Sequence, residues 1–358
     1  GRIADRQQHL EDLAGAFDRI VADNSSYYVL AYYPLSDRRD GRFHKFDVRV
    51  NRPGLTVRAR RGYLSPKGKA PAAPVATATG PSLELRDALN SPLPVAGLAM
   101  AVSLAPFKGT AANASVFFTA EFRGRNISFV KDNTLEFSYL AIDPGGKIRG
   151  GRNERVKWNL RPDTKVRAEE GGFRLLNRID LPPGRYQVRI GSRDLEGGAV
   201  GAVTYDLDVP DFYKLPFSIS GVVLTSLANG AIVTLKPDEQ MAQVLPAPPV
   251  AGRAFAQDDE IALFAEVYDN AAGSPHTVDI ATTITADDGK VVFKTGEERS
   301  SKEIADARGG YGYSARVPLN DILPGSYILT VEARSRLRDA PAATRQVPIT
   351  VTASATPR

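Results

Sequence analysis

Two distant segments of this chain carry the same punctuation. Ile179-Asp180-Leu181-Pro182-Pro183-Gly184-Arg185-Tyr186 and Asp321-Ile322-Leu323-Pro324-Gly325-Ser326-Tyr327 each run aliphatic residues into proline and glycine, then into a tyrosine that opens an alternating apolar stretch. Proline sets φ and glycine permits a tight reversal before a strand. The tyrosine ring can then be buried while its hydroxyl reaches backbone. A Gly-rich turn with an aromatic precedes each segment (Phe173; Tyr311 and Tyr313), and a polar loop and a last strand follow each (205–209; 347–351). One architecture used twice is the economical explanation.

The surrounding pattern names that architecture. Strands are predicted at 99–104, 115–122, 134–143, 156–160, 172–180, 184–193 and 201–209. A second set is predicted at 218–226, 260–268, 277–286, 291–295, 312–318, 325–334 and 344–352. Short strands separated by turn signals such as Asp143-Pro144-Gly145-Gly146 imply sandwiches, and the Pro-Gly-x-Tyr element resembles the tyrosine corner of immunoglobulin-like and fibronectin-like edges. The expected fold is mainly β, with two tandem sandwiches at 82–215 and 216–353 and a tail at 354–358. Residues 83–89 read as a short helical segment. The stretch 66–81, PKGKAPAAPVATATGP, is a Pro/Ala linker that cannot build a core.

Residues 1–65 belong to another pattern. Ile3, Leu10, Leu13, Phe17, Ile20 and Val21 form an apolar stripe at helical spacing over 2–22. Tyr27-Tyr28-Val29-Leu30-Ala31-Tyr32-Tyr33 is apolar or aromatic on both faces, as in a strand buried within a helix-covered sheet. A hairpin is expected next, 43–50 turning at Asn51-Arg52-Pro53-Gly54 into 55–60. A helix feeding a two-sided strand is half of a βαβ arrangement, and the other strands of such a sheet are not in this chain.

Composition excludes several functions. The chain has 358 residues with no cysteine, so disulfides, thiolate chemistry and Cys-ligated metals are absent. Its 46 basic and 41 acidic side chains give a net charge of +5, too even for a dedicated nucleic-acid binder. No apolar run approaches the ~20 residues of a membrane span. The first residues are not a signal peptide, so the chain is expected to follow an export signal or to derive from a longer precursor.

Candidate sites are few. His9, His44 and His276 lie far apart without metal-binding spacing, and surface or hairpin positions are expected for them. Nucleophile-elbow, Walker and Rossmann motifs do not occur. The acidic groups Asp258-Asp259-Glu260, Asp269-Asn270 and Asp287-Asp288-Gly289 read either as Ca²⁺ ligands or, better, as turns. Trp158 reads as core, or as a sugar-stacking ring on a sandwich loop. Arg49, Arg52, Arg58, Arg60 and Arg61 are the densest charge cluster, suited to an anionic surface or to keeping a sheet edge soluble. Tyr27, Tyr28, Tyr32 and Tyr33, on a strand without its sheet, call for cover by a partner, an oligomer or the missing part of the same precursor. The candidate partner-binding residues are therefore Tyr27, Tyr28, Tyr32, Tyr33, Arg49, Arg58, Arg60 and Arg61, with no catalytic, cofactor or metal residue.

The segments Ser26-Tyr27-Tyr28-Val29-Leu30-Ala31-Tyr32-Tyr33-Pro34, Asp40-Gly41-Arg42-Phe43-His44-Lys45-Phe46-Asp47-Val48-Arg49-Val50 and Arg52-Pro53-Gly54-Leu55-Thr56-Val57-Arg58-Ala59-Arg60-Arg61-Gly62-Tyr63 resemble the end of the von Willebrand factor A domain in bacterial "VWFA-related" exported proteins of the acidobacterial type. Looser similarity continues in Tyr205-Asp206-Leu207-Asp208-Val209-Pro210-Asp211-Phe212 and Ala265-Glu266-Val267-Tyr268-Asp269. The resemblance implies an A-type α/β domain whose last helix and strand lie at 2–34, followed by β-rich modules. Such domains bind Mg²⁺ through a DxSxS motif, which these residues lack, so no metal ligand carries over. The resulting expectation is a non-catalytic exported interaction, adhesion or assembly protein. The alternative is a carbohydrate-binding or hydrolytic accessory protein with its site on sandwich loops.

Overall fold

The computed structural model describes residues 40–45, 47–49, 62–65, 67, 80–110, 112–130, 134–228, 232–270, 275–303, 310–337 and 342–354. The chain divides into two compact units, Gly1–Val75 and Ala76–Arg358. In the first, β1 (Phe43–Lys45) pairs antiparallel with β2 (Gly62–Leu64). The strand expected over 43–50 is thus shorter, since Asp47–Arg49 are not paired. Residues 2–34 and 55–60 lie outside the described residues.

The second unit begins with α1 (Leu83–Asn90), β3 (Val95–Ala96), β4 (Met100–Lys108), β5 (Ala114–Phe122), β6 (Thr134–Ile142), β7 (Ile148–Lys157), α2 (Pro162–Gly171), β8 (Phe173–Leu181), β9 (Gly184–Asp194) and β10 (Val200–Val209). It continues with β11 (Phe217–Ile219), β12 (Val223–Ser226), β13 (Val233–Leu235), α3 (Glu239–Val244), β14 (Ala254–Ala256), β15 (Glu260–Asp269), β16 (Thr277–Ala286), β17 (Val291–Ser300), β18 (Gly310–Pro318), β19 (Gly325–Ser335) and β20 (Ala343–Thr352). The fold is mainly β, two sandwiches in tandem.

The two modules repeat over six strands. The first stacks β13-β8-β5-β4 on β3-β10-β9-β6-β7. In the second, β15 is flanked by β11 and β12 on one side and β18 on the other, opposite β14-β20-β19-β16-β17. Hence β5 to β10 correspond to β15 to β20 in order. Each module carries its own apolar core between its sheets. The two tyrosines do the same job: Tyr186 donates its hydroxyl to the Pro182 carbonyl at 2.8 Å, and Tyr327 to that of Leu323 at 2.7 Å. Each tethers the start of a strand to the preceding turn.

A third apolar cluster joins the modules. The outer face of the first module's smaller sheet offers Ala105, Phe107, Phe117 and Leu176, and the second covers them with Val223, Phe264, Met241 and Leu245. Phe107 and Phe264 stack with ring centroids 6.0 Å apart. Strands β5 and β15, each between two apolar layers, are buried on both faces almost throughout.

The expected single strand over 218–226 breaks into β11 and β12 at this contact. Gly221 donates its N–H to the Pro106 carbonyl at 2.7 Å. A Cβ at Gly221 would sit 2.5 Å from the Ala105 Cα, so only glycine lets the two backbones meet.

The stretch after β12 also departs from expectation. By sequence it belongs to the second sandwich, yet β13 pairs in parallel with β8 of the first, Val233 opposite Phe173. Helix α3 follows across the intermodule cluster. Asp238 caps it, accepting the Met241 N–H at 2.9 Å, and its carboxylate also holds Arg178 of β8 through contacts of 2.8 and 3.1 Å. Sequence reading missed β3, β13, β14, α2, α3 and most of β7. Helix α2 starts on Pro162 and ends at Gly172 with φ of 85°, a proline-to-glycine frame that marks helices.

Candidate binding cleft

Three strand edges lie open near one another in the second unit. β4 ends its sheet, β3 covers only Gly201 and Ala202 of β10, and β14 covers only Thr350–Thr352 of β20. Between these uncovered stretches lies a cleft of about 600 Å³, lined by residues of both modules. Both long edges are blunted by proline. Thr350 donates its N–H outward to the Arg253 carbonyl at 2.8 Å. Strand alternation therefore puts the N–H position of residue 348 on the same open edge, where Pro348 has no donor. Pro106 sits likewise in β4. Prolines at such positions discourage an added strand, so recognition here falls to side chains.

The floor is rigid. Arg174, fully buried, donates through Nη1 to the carbonyls of Pro248 at 2.7 Å and Pro249 at 2.9 Å, and its Nε lies 3.7 Å from Glu121. Glu121 accepts the Gly252 N–H at 2.9 Å. On this pinned segment Arg253 donates to the carbonyls of Val250 at 3.1 Å and Gly252 at 3.2 Å, and to the Ser103 hydroxyl of β4. Burial pulls the pKa of Arg253 below the usual arginine value, while Tyr205 and Glu121 act against that shift.

The walls are less satisfied. Arg345 of β20 donates Nε to the Ser220 carbonyl at 3.0 Å, and its two Nη groups form no hydrogen bond with the described residues. Burial lowers its pKa too, opposed by the nearby Asp208 carboxylate. Asp206 and Asp208 of β10, and half-buried Tyr205, line the opposite side. A second cavity of about 360 Å³ lies on the other flank of Asp206–Asp208, bordered by Asp143, Arg185, Tyr186 and Gln187.

Few of the sequence-derived candidates meet here. Tyr27, Tyr28, Tyr32, Tyr33, Arg52, Arg58, Arg60, Arg61 and His9 lie outside the described residues. Arg49 is exposed and pairs with Asp47 at 2.8 Å, an ion pair of little energetic weight in water. His44, on β1, meets Asp40 at 3.0 Å; the Arg42 N–H and this histidine hold the Asp40 carboxyl below its ordinary pKa.

One expectation needs correcting, and one open alternative is decided. His276 is not at the surface: it pairs with Asp269 at 2.8 Å with both side chains buried, because a carboxylate at the end of β15 gives the imidazole a polar partner inside. Trp158 is buried too, its ring 5.9 Å from Phe129 and 5.2 Å from Phe173. It fills the first core and cannot stack on a sugar.

The other two acidic groups act as turns. Asp259 accepts the N–H groups of Ala228 at 3.0 Å and Glu260 at 2.8 Å and the Ser226 hydroxyl. Asp287–Gly289 reverse β16 into β17, with Gly289 at φ of 81°. Among the described residues no three His, Asp or Glu side chains gather to hold a metal ion, and no helix is long and apolar enough to cross a membrane.

The cleft residues carried a signal that went unread. On β20 the inward positions run Ala343, Arg345, Val347, Ile349, Val351, so Arg345 is a charge set into an apolar face. Tyr205-Asp206-Leu207-Asp208 appeared only as part of a loosely similar stretch.

No family model matches the chain, and no curated protein matches it. Among solved structures it is similar to Bacteroides uniformis β-glucuronidase 2 covalently bound to cyclophellitol-6-carboxylate aziridine, at 12% identity and a TM-score of 0.28, over 66% of this chain and 26% of that one. A glycosyl hydrolase family 2 member from Bacteroides cellulosilyticus gives 10% and 0.25, over 66% and 28%. Red sea bream transglutaminase gives 9% and 0.22, over 72% and 32%. The chain spans about a third or less of these proteins, and likeness at this level adds nothing to the fold read from its strand pairings.

Proposed function

We propose that this chain is a non-catalytic interaction and assembly protein, in which the two sandwiches form one rigid body and the cleft between them is a recognition surface. One observation carries this reading: the cleft is walled by both modules, and the segment beneath it is pinned by hydrogen bonds from Arg174 to Pro248 and Pro249, from Gly252 to Glu121, and from Arg253 to Val250 and Gly252. Side chains held this way lose little freedom on binding, so an incoming ligand need not order them. The same proposal takes residues 1–65 as the closing part of an A-type domain in an exported protein. There Tyr27, Tyr28, Tyr32, Tyr33 and Arg49, Arg58, Arg60 and Arg61 contact a protein partner or the rest of the same precursor.

Hydroxyl-radical footprinting of the protein in its native extract, against the purified chain, is the test. Protection of Tyr205 and of the β20 segment around Arg345 in the extract supports the reading. Equal reactivity of both in the two samples, or steady substrate turnover by the pure protein, contradicts it.

A further inference from the structure

We propose that the cleft binds a neutral oligosaccharide, gripped by Asp206 and Asp208 as hydroxyl acceptors, by the Nη groups of Arg345 as donors and by the hydroxyl of Tyr205. This gives a ligand class to the recognition surface proposed above and rests on that reading. The argument begins with bonds not made. Arg345 is oriented by one contact, Nε to the Ser220 carbonyl at 3.0 Å, and its remaining donors find no acceptor among the described residues. The Asp206 and Asp208 carboxylates and the Tyr205 hydroxyl likewise form no hydrogen bond with described residues. A donor group and two acceptor groups therefore line one space, each held on a strand.

Charge selects among ligands. Asp206, Asp208 and Asp287 border the cleft with Arg253 and Arg345. An anion drawn to Arg345 would also meet the carboxylates, and a cation drawn to them would meet the guanidinium groups. A ligand of uncharged hydroxyls satisfies both, because each hydroxyl donates once and accepts twice. Carboxylates and guanidinium groups also offer paired atoms suited to neighbouring hydroxyls. The volume of about 600 Å³ falls in the range of roughly 300–1,000 Å³ usual for small-ligand sites. The second cavity, sharing Asp206–Asp208, gives a chain of sugars room to continue. Pro348 and Pro106, which blunt the strand edges, turn the site away from an extended peptide added as a strand.

The experiment is a printed array of neutral and acidic oligosaccharides probed with the full chain, followed by calorimetry on the best neutral binder. Saturable binding to neutral oligosaccharides is expected, weakened at least tenfold by Arg345→Ala and by Asp208→Ala, and less by Asp208→Asn, which keeps an acceptor. Thermal melts of the three variants serve as folding controls, and Tyr205→Ala supplies a further variant if Arg345→Ala melts early. No binding, binding to acidic glycans alone, or an affinity unmoved by all the variants overturns the proposal. Footprint protection at Tyr205 by a protein that Asp208→Ala releases overturns the carbohydrate assignment while leaving the interaction reading intact.

Discussion

The two sandwiches pair their strands alike, yet the same face of each meets a different fate. Aligning the tyrosines Tyr186 and Tyr327 puts Gly191 of β9 opposite Glu332 of β19. In the first module α1 lies over that face, with Leu85, Ala88 and Leu89 buried. A Cβ at Gly191 would stand 2.8 Å from the Leu85 Cδ1 and 2.9 Å from the Leu89 Cδ2. In the second module the row Glu332, Thr344 and Ala281 is left to solvent or half-buried. Acidic positions diverge in the same way. Glu136 is fully buried and accepts the Ser82 N–H at the start of α1 at 3.2 Å, whereas its counterpart Asp279 pairs at the surface with Arg336 at 2.6 Å. One architecture thus accommodates a helix over Gly191 in one module and carries an exposed Glu332 at the matching position of the other.

The largest expected effect comes from exchanging those residues. Gly191→Glu forces an unpaired carboxylate against Leu85 and Leu89 and should cost about 3 kcal/mol or more, lowering the melting temperature and freeing α1 to fast amide exchange. Glu332→Gly should cost only about 0.5–1 kcal/mol, the entropic penalty of glycine in an element. Equal losses in the two variants would sink the comparison.

Leu245→Ala comes next, at about 2–4 kcal/mol for a buried leucine. Calorimetry should then show two transitions where the parent shows one, because the shared apolar layer couples the modules. A single unchanged transition would mean that they are coupled by other contacts.

Smaller effects sharpen the picture. Tyr186→Phe and Tyr327→Phe each remove one hydroxyl-to-carbonyl bond and should cost about 1 kcal/mol apiece in denaturant titrations. A marked inequality would show that the two corners are not equivalent.

The latch should also respond to acid. Burial raises the pKa of Asp238, but Arg178 and the Met241 N–H outweigh it, and the net shift is downward. A carboxyl depressed in the folded state contributes stability that is complete above its unfolded value of about 3.9 and lost as pH falls through the lower folded value. Acid titration of stability should therefore be steeper below about pH 4 for the parent than for Asp238→Asn.

Much of the fold was legible because it rests on local rules. Pro-Gly-x-Tyr marked both corners, and strands such as β16, with one face in the core and the other half-buried, alternate cleanly. What stayed hidden depends on the neighbouring module. β5 and β15, buried on both faces, lose alternation, and that loss in Phe117–Phe118 and Ala262–Val267 was the trace of the intermodule layer. β7 sits at a sheet edge with Arg149, Arg152, Glu154 and Arg155 along it, so its charges imitate a loop. The cleft was least legible, since Arg345, Asp208 and Tyr205 come together only through packing between distant strands.

The parallel pairing of β13 with β8 has a consequence for biosynthesis. Chain order delivers the first sandwich well before residues 233–245, which close its β8 edge and cover Phe107, Phe117 and Leu176. On the ribosome the earlier module must therefore wait, with an open edge and an apolar flank, until part of the later one emerges. A chain stopped at residue 215 should be aggregation-prone, while one extended through α3 should stay soluble. The smallest independently soluble piece of this protein is then not a module as the repeat defines it, but one that includes a loan from its neighbour.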